Sequence, residues 1–136
     1  MDDRILALLV HGREKPMELM KEALEALAIE TFSAKTCEEL ERLLREVPAE
    51  LVFTDTALPD GDWTDIVAAA QRSEAPASVI VVGSHQDVKL YIAAIEGGAF
   101  DFVLPPFETQ ALQFVVYTAL DYARRRRLAL SQMAHA

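Results

Sequence analysis

The fold is decided around residues 51–63, LVFTDTALPDGDW. Leu51 to Phe53 are continuously apolar, which is typical of a strand buried on both faces of a parallel sheet. Turn-forming residues follow at once, and Asp62 has the side chain of a helix N-cap. The stretch therefore predicts a buried strand, a turn and the start of a helix.

The same unit recurs along the chain. Further strands are predicted at Ile5 to Val10, at Ile29 to Ala34 on a sheet edge, at Val79 to Val82 and at Phe100 to Leu104. Helical periodicity fills the intervals, with helix starts at Pro16, Thr36, Asp62, Asp87 and about Thr109. Strict alternation predicts a parallel sheet with helices on both faces, and right-handed crossovers favour the strand order 2-1-3-4-5. This is the α/β flavodoxin-like (βα)5 three-layer sandwich.

Local patterns set the limits of individual helices. Thr36 and Glu39 have the spacing of a capping box at the start of the second helix, which Pro48 ends. In the fourth helix, the spacing predicts that Tyr91, Ile92 and Ile95 point inward and that Gly97-Gly98 ends the helix.

Composition limits the classes of function. The chain has 136 residues and a formal net charge of −9, so its surface repels nucleic acid and anionic membranes, and neither is expected as a partner. The single cysteine, Cys37, cannot form an internal disulfide, and the first residues lack the basic start of a signal peptide. We expect a cytoplasmic location, with residues 1–125 forming one domain and residues 126–136 a C-terminal helix extension or linker.

In a doubly wound sheet the ligand crevice lies at the carboxyl ends of the strands, where the winding reverses. The sequence places there His11, Gly12 and Arg13 after the first strand, Asp55 and Thr56 after the third, Gly83 and Ser84 after the fourth, and Pro105 after the fifth. Asp55 is the only carboxylate among them, and aspartate is also a common turn residue at strand ends.

The segment from Asp55 to Asp62 resembles the phosphoacceptor loop of response-regulator receiver domains, in which an aspartate ends the third strand and Leu-Pro or Met-Pro follows. Residues 98–102, GAFDF, and Pro106-Phe107 are similar to that family's fifth strand and its Lys-Pro-Phe turn. The resemblance covers roughly Ile5 to Ala123 and is closest to the receivers of nitrogen-regulation-type activators. It implies a signalling role in a two-component phosphorelay, with Asp55 as phosphoacceptor.

Compared with the family pattern, several supporting groups are missing. His11 and Gly12 stand where two acidic residues usually hold magnesium, Gly83 where a hydroxyl is expected, and Pro105 where the lysine is expected. The aromatic switch position falls on Phe102. Because phosphoryl transfer needs cationic charge and magnesium needs oxygen ligands, we expect weak magnesium binding, no other cofactor or metal, and a vestigial or weak phosphoacceptor.

Compensating groups remain an alternative. Arg13 or Lys15 would approach Asp55 as an ion pair, and Ser84 lies one residue beyond the expected hydroxyl. Trp63 is expected to flank or cover the crevice. The run Arg124 to Arg127 is interpreted as cations at a helix carboxyl end or as the start of a linker, in preference to a nucleic-acid patch.

Three functions follow from these observations. The first is an atypical receiver that is not an enzyme and binds a histidine kinase, an output domain or a second copy through its fourth helix, fifth strand and fifth helix. Lys89, Asp101 and Tyr117 would lie on that face. The second is a working phospho-accepting receiver that uses Asp55 with non-standard supporting residues. The third, a flavin carrier or enzyme on the same fold, lacks a hydroxyl-rich loop after the first strand.

Overall fold

The computed structural model describes residues 4–12 and 15–134. Strands and helices alternate through this part of the chain, as the apolar blocks and helical periodicities predict. In chain order the elements are β1 (Leu6–Val10), α1 (Pro16–Ala26), β2 (Glu30–Ala34), α2 (Cys37–Glu46), β3 (Leu51–Asp55), β4 (Ala57–Leu58), β5 (Gly61–Asp62), α3 (Trp63–Arg72), β6 (Ser78–Val82), α4 (Val88–Glu96), β7 (Asp101–Val103) and α5 (Thr109–Ala134).

Five of the strands form one parallel sheet in the order β2-β1-β3-β6-β7. β6 and β7 correspond to the predicted fourth and fifth strands, so the predicted order 2-1-3-4-5 is confirmed. The short strands β4 and β5 form a separate antiparallel hairpin that the sequence did not predict. Val10 pairs with Thr54, and Asp55 pairs with Val82. The carboxyl ends of β1, β3 and β6 are therefore level, and their following loops meet at one edge of the sheet.

The sheet separates two apolar layers. On one face, α1 and α5 contribute residues such as Met20 and Val116 to a cluster around Phe53. On the other face, α2, α3 and α4 contribute residues such as Leu40 and Ile66 to a cluster around Val52. All five residues of β3 are buried, so the strand that ends in Asp55 lies at the centre of the domain.

Three predicted helix starts are confirmed by their caps. The side chain of Thr36 accepts from the Glu39 amide, that of Asp62 accepts from the Thr64 amide, and that of Asp87 accepts from the Leu90 amide. Each cap satisfies an amide at the start of a helix that has no partner within the helix. These polar residues fix where α2, α3 and α4 begin.

The prediction for the buried face of α4 is wrong. Tyr91, Ile92 and Ile95 are between 41% and 48% exposed, whereas Ala94 is fully buried and Leu90 is half-buried. Residues four apart share one face of a helix, and the small side chain of Ala94 lets that face approach the sheet closely. The larger side chains at 91, 92 and 95 are left toward solvent.

The interpretation of the basic run as the carboxyl end of a helix is also wrong, whereas the linker stays a prediction. The α5 helix continues unbroken through Arg124 to Arg127 and reaches Ala134, so the run lies inside the helix. The predicted division between residues 125 and 126 stays a prediction, since the backbone does not change there. Across residues 4–12 and 15–134, no helix combines the length and apolar character that crossing a membrane requires.

Candidate functional site

Asp55 ends β3 at the predicted crevice, and only 2% of the residue is exposed. Its Oδ1 accepts a hydrogen bond of 2.6 Å from the backbone amide of Thr56, and the Thr56 hydroxyl lies 3.4 Å from the same oxygen. Just before it, the hydroxyl of Thr54 donates to the Asp55 carbonyl. The carboxylate is therefore held in one orientation by the turn that follows the strand.

Gly12 packs directly against this carboxylate. A methyl group on its Cα would lie 2.5 Å from Oδ2 of Asp55 and still closer to the carbonyl oxygen of Ala57. Neither distance is compatible with van der Waals contact, and one of the two atoms belongs to the backbone, which cannot rotate away. In this arrangement position 12 accepts no side chain at all, acidic or otherwise.

His11 is turned toward β2. Its Nε2 lies 2.9 Å from the Ser33 hydroxyl, and its amide donates to the Ala34 carbonyl. Burial lowers the pKa of His11 from 6.5, and the nearby positive charge of Lys21 lowers it further. The imidazole is accordingly neutral at pH 7, and the contacts of His11 join the end of β1 to β2.

Position 83 at the end of β6 is filled by other side chains. A methyl group on Gly83 would lie 2.6 Å from Cζ of Phe102 and 2.9 Å from Cδ2 of Leu104. Ser84, the proposed substitute hydroxyl, is exposed, and its Oγ lies 3.0 Å from Nδ1 of His85. The sequence could not indicate that Phe102 takes the space of a residue nearly twenty positions away.

The remaining predicted residues are less informative. Pro105 is half-buried and is joined to Pro106 by a cis peptide bond. Lys15 is exposed just before α1. Arg13, the other cation proposed beside Asp55, lies outside the described residues.

The acidic residues that follow Asp55 have structural contacts. The Asp60 carboxylate accepts from the amides of Cys37 and Glu38, at 2.7 Å and 3.1 Å, and so ties this loop to the start of α2. These hydrogen bonds, that from Cys37 first, lower the pKa of Asp60. Burial, together with the Asp60 carboxylate, raises the pKa of the Cys37 thiol to about 12, so Cys37 is not a thiolate at neutral pH.

The ring of Trp63 lies between α3 and α4. Only 9% of the residue is exposed, and a methyl group on Gly97 would lie 2.9 Å from Cη2 of the indole. Its amide donates to the Thr56 carbonyl at 3.3 Å, so the backbone of Trp63 touches the Asp55 turn while its ring packs against the end of α4. The residue joins these two parts of the fold.

The family model for the response regulator receiver domain matches residues 7–117. The chain belongs to this family. The response regulator protein PilR of Pseudomonas aeruginosa is 32% identical over 114 residues, covering 84% of this chain and 26% of PilR. The nitrogen assimilation regulatory protein NtrX of Azorhizobium caulinodans is 29% identical over 72% of this chain and 23% of its own length. The chain thus spans only 23% to 26% of these two curated relatives.

Among solved structures, the beryllofluoride-activated NtrC4 receiver domain dimer superposes with a TM-score of 0.72 at 25% identity, over 87% of this chain and 98% of that one. The resemblance to nitrogen-regulation-type receivers is thereby confirmed, as is the fold. Receiver domains of response regulators are signalling modules, and this receiver has the sheet order of that fold.

Exposed apolar side chains on this receiver flank the edge strand β7. On α4 they are Val88, Tyr91, Ile92 and Ile95, and on α5 they are Phe114 and Tyr117; together they are called the β7-flanking residues below. Phe114 is 71% exposed and Val88 63%. Large exposed apolar groups often mark interaction sites. Of the three residues predicted for this face, Lys89 and Tyr117 are exposed and Asp101 is half-buried.

The basic run of the receiver is engaged in contacts with its own fold. The Arg127 guanidinium donates to the carbonyls of Ala49, Ala75 and Pro76, at 2.7, 3.1 and 2.9 Å. Arg124 donates twice to the carboxylate of Glu50, Arg125 pairs with Asp121, and Arg126 lies over the ring of Tyr122. All four arginines of the run thus contact residues of the same domain.

Proposed function

We propose that this receiver acts mainly through protein–protein contacts in two-component signalling and that magnesium-dependent phosphorylation of Asp55 is impaired. The observation that carries the proposal is the packing of the Gly12 backbone against the Asp55 carboxylate and the Ala57 carbonyl. We assign it no catalytic activity, no cofactor and a cytoplasmic location.

The described residues do not fit a magnesium ion. Magnesium demands near-octahedral oxygen ligation, and it is usually held by more than one carboxylate or by carboxylates and substrate phosphates. Oδ2 of Asp55 and the carbonyl oxygen of Ala57 face the same region, but Gly12 stands beside them where a second carboxylate would be needed. Within residues 4–12 and 15–134, no three histidine, cysteine, aspartate or glutamate side chains group as metal ligands.

Three predicted site positions lack the groups that the family resemblance implies for binding a phosphoryl group. Pro105 offers no cation, Gly83 offers no hydroxyl, and the exposed Ser84 is hydrogen-bonded to His85. Preorganised positive charge is the largest contribution to phosphoryl transfer, since little covalent chemistry is left for the protein. The different residues at positions 83 and 105 therefore favour slow phosphorylation.

A working phosphoacceptor is the second candidate, and one observation favours it. Asp55 keeps the family position at the level carboxyl ends of β1, β3 and β6, with its carboxylate oriented by the Thr56 amide. A cation supplied from the loop after β1 would then be the non-standard supporting group.

Beryllofluoride with magnesium separates the two candidates. We expect no saturable change in Trp63 fluorescence up to millimolar magnesium, and no 80 Da mass gain after incubation with acetyl phosphate. The Asp55→Asn variant sets the baseline for both measurements. A saturable fluorescence change, or a mass gain that Asp55→Asn abolishes, would establish the second candidate instead.

For the contact surface we propose the β7-flanking residues. Their partner is a histidine kinase, an output domain or a second copy of the chain. Support comes from their exposure on both sides of an edge strand and from the NtrC4 receiver, which is described as a dimer. Burying aromatic and aliphatic groups of this size is the usual energetic centre of a protein interface.

A further inference from the structure

The ring of Phe102 occupies the space that a side chain at position 83 would need. Phe102 is 8% exposed, and its Cζ and Cε2 atoms would lie 2.6 Å and 3.2 Å from a methyl group on Gly83. The two strands are tied at this level, since the Gly83 amide donates to the Val103 carbonyl at 2.9 Å. A side chain at position 83 and the present place of the Phe102 ring therefore exclude each other.

The ring of Phe102 touches α4 on its other side. Its centroid lies 6.1 Å from that of Tyr91, with the planes at 87°, which is a favourable edge-to-face contact. Tyr91 is one of the exposed residues of α4, and the far end of the helix packs at Gly97 against Trp63. A displacement of Phe102 would consequently be felt by α4 as a loss of its aromatic support.

We propose that the missing side chain at Gly83 holds Phe102 in its buried position, and that this pair fixes α4 and its exposed apolar residues independently of the chemical state of Asp55. The inference rests on the proposed function, because α4 carries part of the proposed contact surface. It adds a mechanism: the surface is kept in one arrangement by packing, and no phosphoryl group is needed to reach it.

Close packing leaves the Phe102 ring only two alternative positions, beside Gly83 or away from it. Protein interiors are close-packed, so a ring of this size either fills the space beside Gly83 or leaves it, with little room for intermediate positions. Leu104 also borders that space, but the contact is made by the end of its side chain, which can rotate. The ring of Phe102 is therefore the group whose position a side chain at 83 would decide.

Hydrogen exchange of the full chain tests the proposal without magnesium or a phosphoryl donor. In Gly83→Ala we expect at least tenfold faster exchange of the α4 amides and a shifted Trp63 emission, with α1 on the opposite face as internal reference. In Phe102→Leu we also expect faster α4 exchange, because the ring that contacts Tyr91 is gone, and Gly83→Ala/Phe102→Leu should be no faster than Phe102→Leu, because no ring is left to displace. Asp55→Asn should leave α4 unchanged.

Two outcomes would overturn the inference: α4 exchange in Gly83→Ala that equals wild type, or effects of Gly83→Ala and Phe102→Leu that add up in the double variant. If Gly83→Ala fails to fold, Phe102→Leu alone decides, because it removes the support of Tyr91 while leaving position 83 empty. Its α4 amides should then exchange faster while those of α1 do not, and unchanged α4 exchange would contradict the proposal. None of these results depends on whether beryllofluoride binds at Asp55.

Discussion

A methyl group on the Cα of Gly12 would lie only 2.5 Å from Oδ2 of Asp55, so the two residues are neighbours with no room for a side chain at position 12. Any side chain at this position would require Asp55 or the Ala57 carbonyl to move. The absence of an acidic side chain and the placement of Asp55 thus belong to one local arrangement, and changing either residue alone disturbs the other.

The acidic residue that the family resemblance implies at position 12 should therefore destabilise this protein. We expect Gly12→Asp to lower the free energy of unfolding by about 1–3 kcal/mol, because the new side chain is forced against a backbone carbonyl and a like charge. Urea unfolding with and without magnesium measures the change. Lys15→Ala, an exposed substitution at the other end of the same loop, is the control and should stay within about 0.5 kcal/mol. Wild-type stability in Gly12→Asp, or a magnesium-dependent gain, would contradict the steric argument.

Arg127 should matter far more than its neighbours in the basic run. Its guanidinium donates to three carbonyls, so we expect Arg127→Ala to cost about 1–3 kcal/mol in urea unfolding. Arg125→Ala is a matched control, since Arg125 is 79% exposed and forms a surface pair with Asp121; about 0.5 kcal/mol or less is expected there. Equal effects of the two variants would mean that the carbonyl contacts contribute nothing special.

His11 should make stability depend on pH near neutrality. Because burial lowers its folded-state pKa below 6.5, the unfolded chain takes up a proton first as the pH falls, and stability is lost from about pH 7 downward until the folded pKa is reached. We expect His11→Gln, which can still bond to Ser33, to flatten this part of the curve. Urea midpoints between about pH 7.5 and 5.5 measure it, with His85→Gln as control. If the pH dependence of stability is unchanged in His11→Gln, His11 is not its source.

A charged substitution on α4 tests whether the exposed apolar residues of this helix form a contact surface. If the β7-flanking residues mediate self-association, Ile92→Glu should weaken the dimer at least tenfold in sedimentation equilibrium, because an apolar contact is replaced by a buried charge. Leu19→Glu introduces the same charge on α1, where Leu19 is similarly exposed at 49%, and should have no effect. Equal weakening by both variants would indicate a general charge effect, and a wild-type chain that stays monomeric would exclude a second copy as the partner.

The sequence predicted the sheet order, the helix caps and the position of Asp55, because each rests on local patterns that pack in only a few ways. It misplaced the exposed side of α4, since residues 91, 92 and 95 and residues 90 and 94 fit a helical period equally well. It also assigned Trp63 to the crevice without indicating that its ring packs against Gly97.

Contacts between distant segments were out of reach of the sequence. Asp60 joins its loop to the start of α2, and Phe102 fills the space beside Gly83, yet neither partner lies within range of a local pattern. Ala28 adopts a left-handed conformation with φ of 62° although the residue itself carries no signal for it. Such features depend on the assembled fold, where neighbours far apart in the chain decide what fits.

The unbroken course of α5 past Arg127 gives its last residues a fixed angular phase. Each helical residue advances about 1.5 Å along the axis and turns about 100° around it. The guanidinium contacts of Arg127 fix the rotation of this part of the helix relative to the domain. Inserting one alanine after Arg127 would swing Leu128, Leu130 and Met133 by about 100° around the helix axis without loosening the body of the domain. The direction in which these exposed side chains point therefore depends on how many residues separate each of them from Arg127.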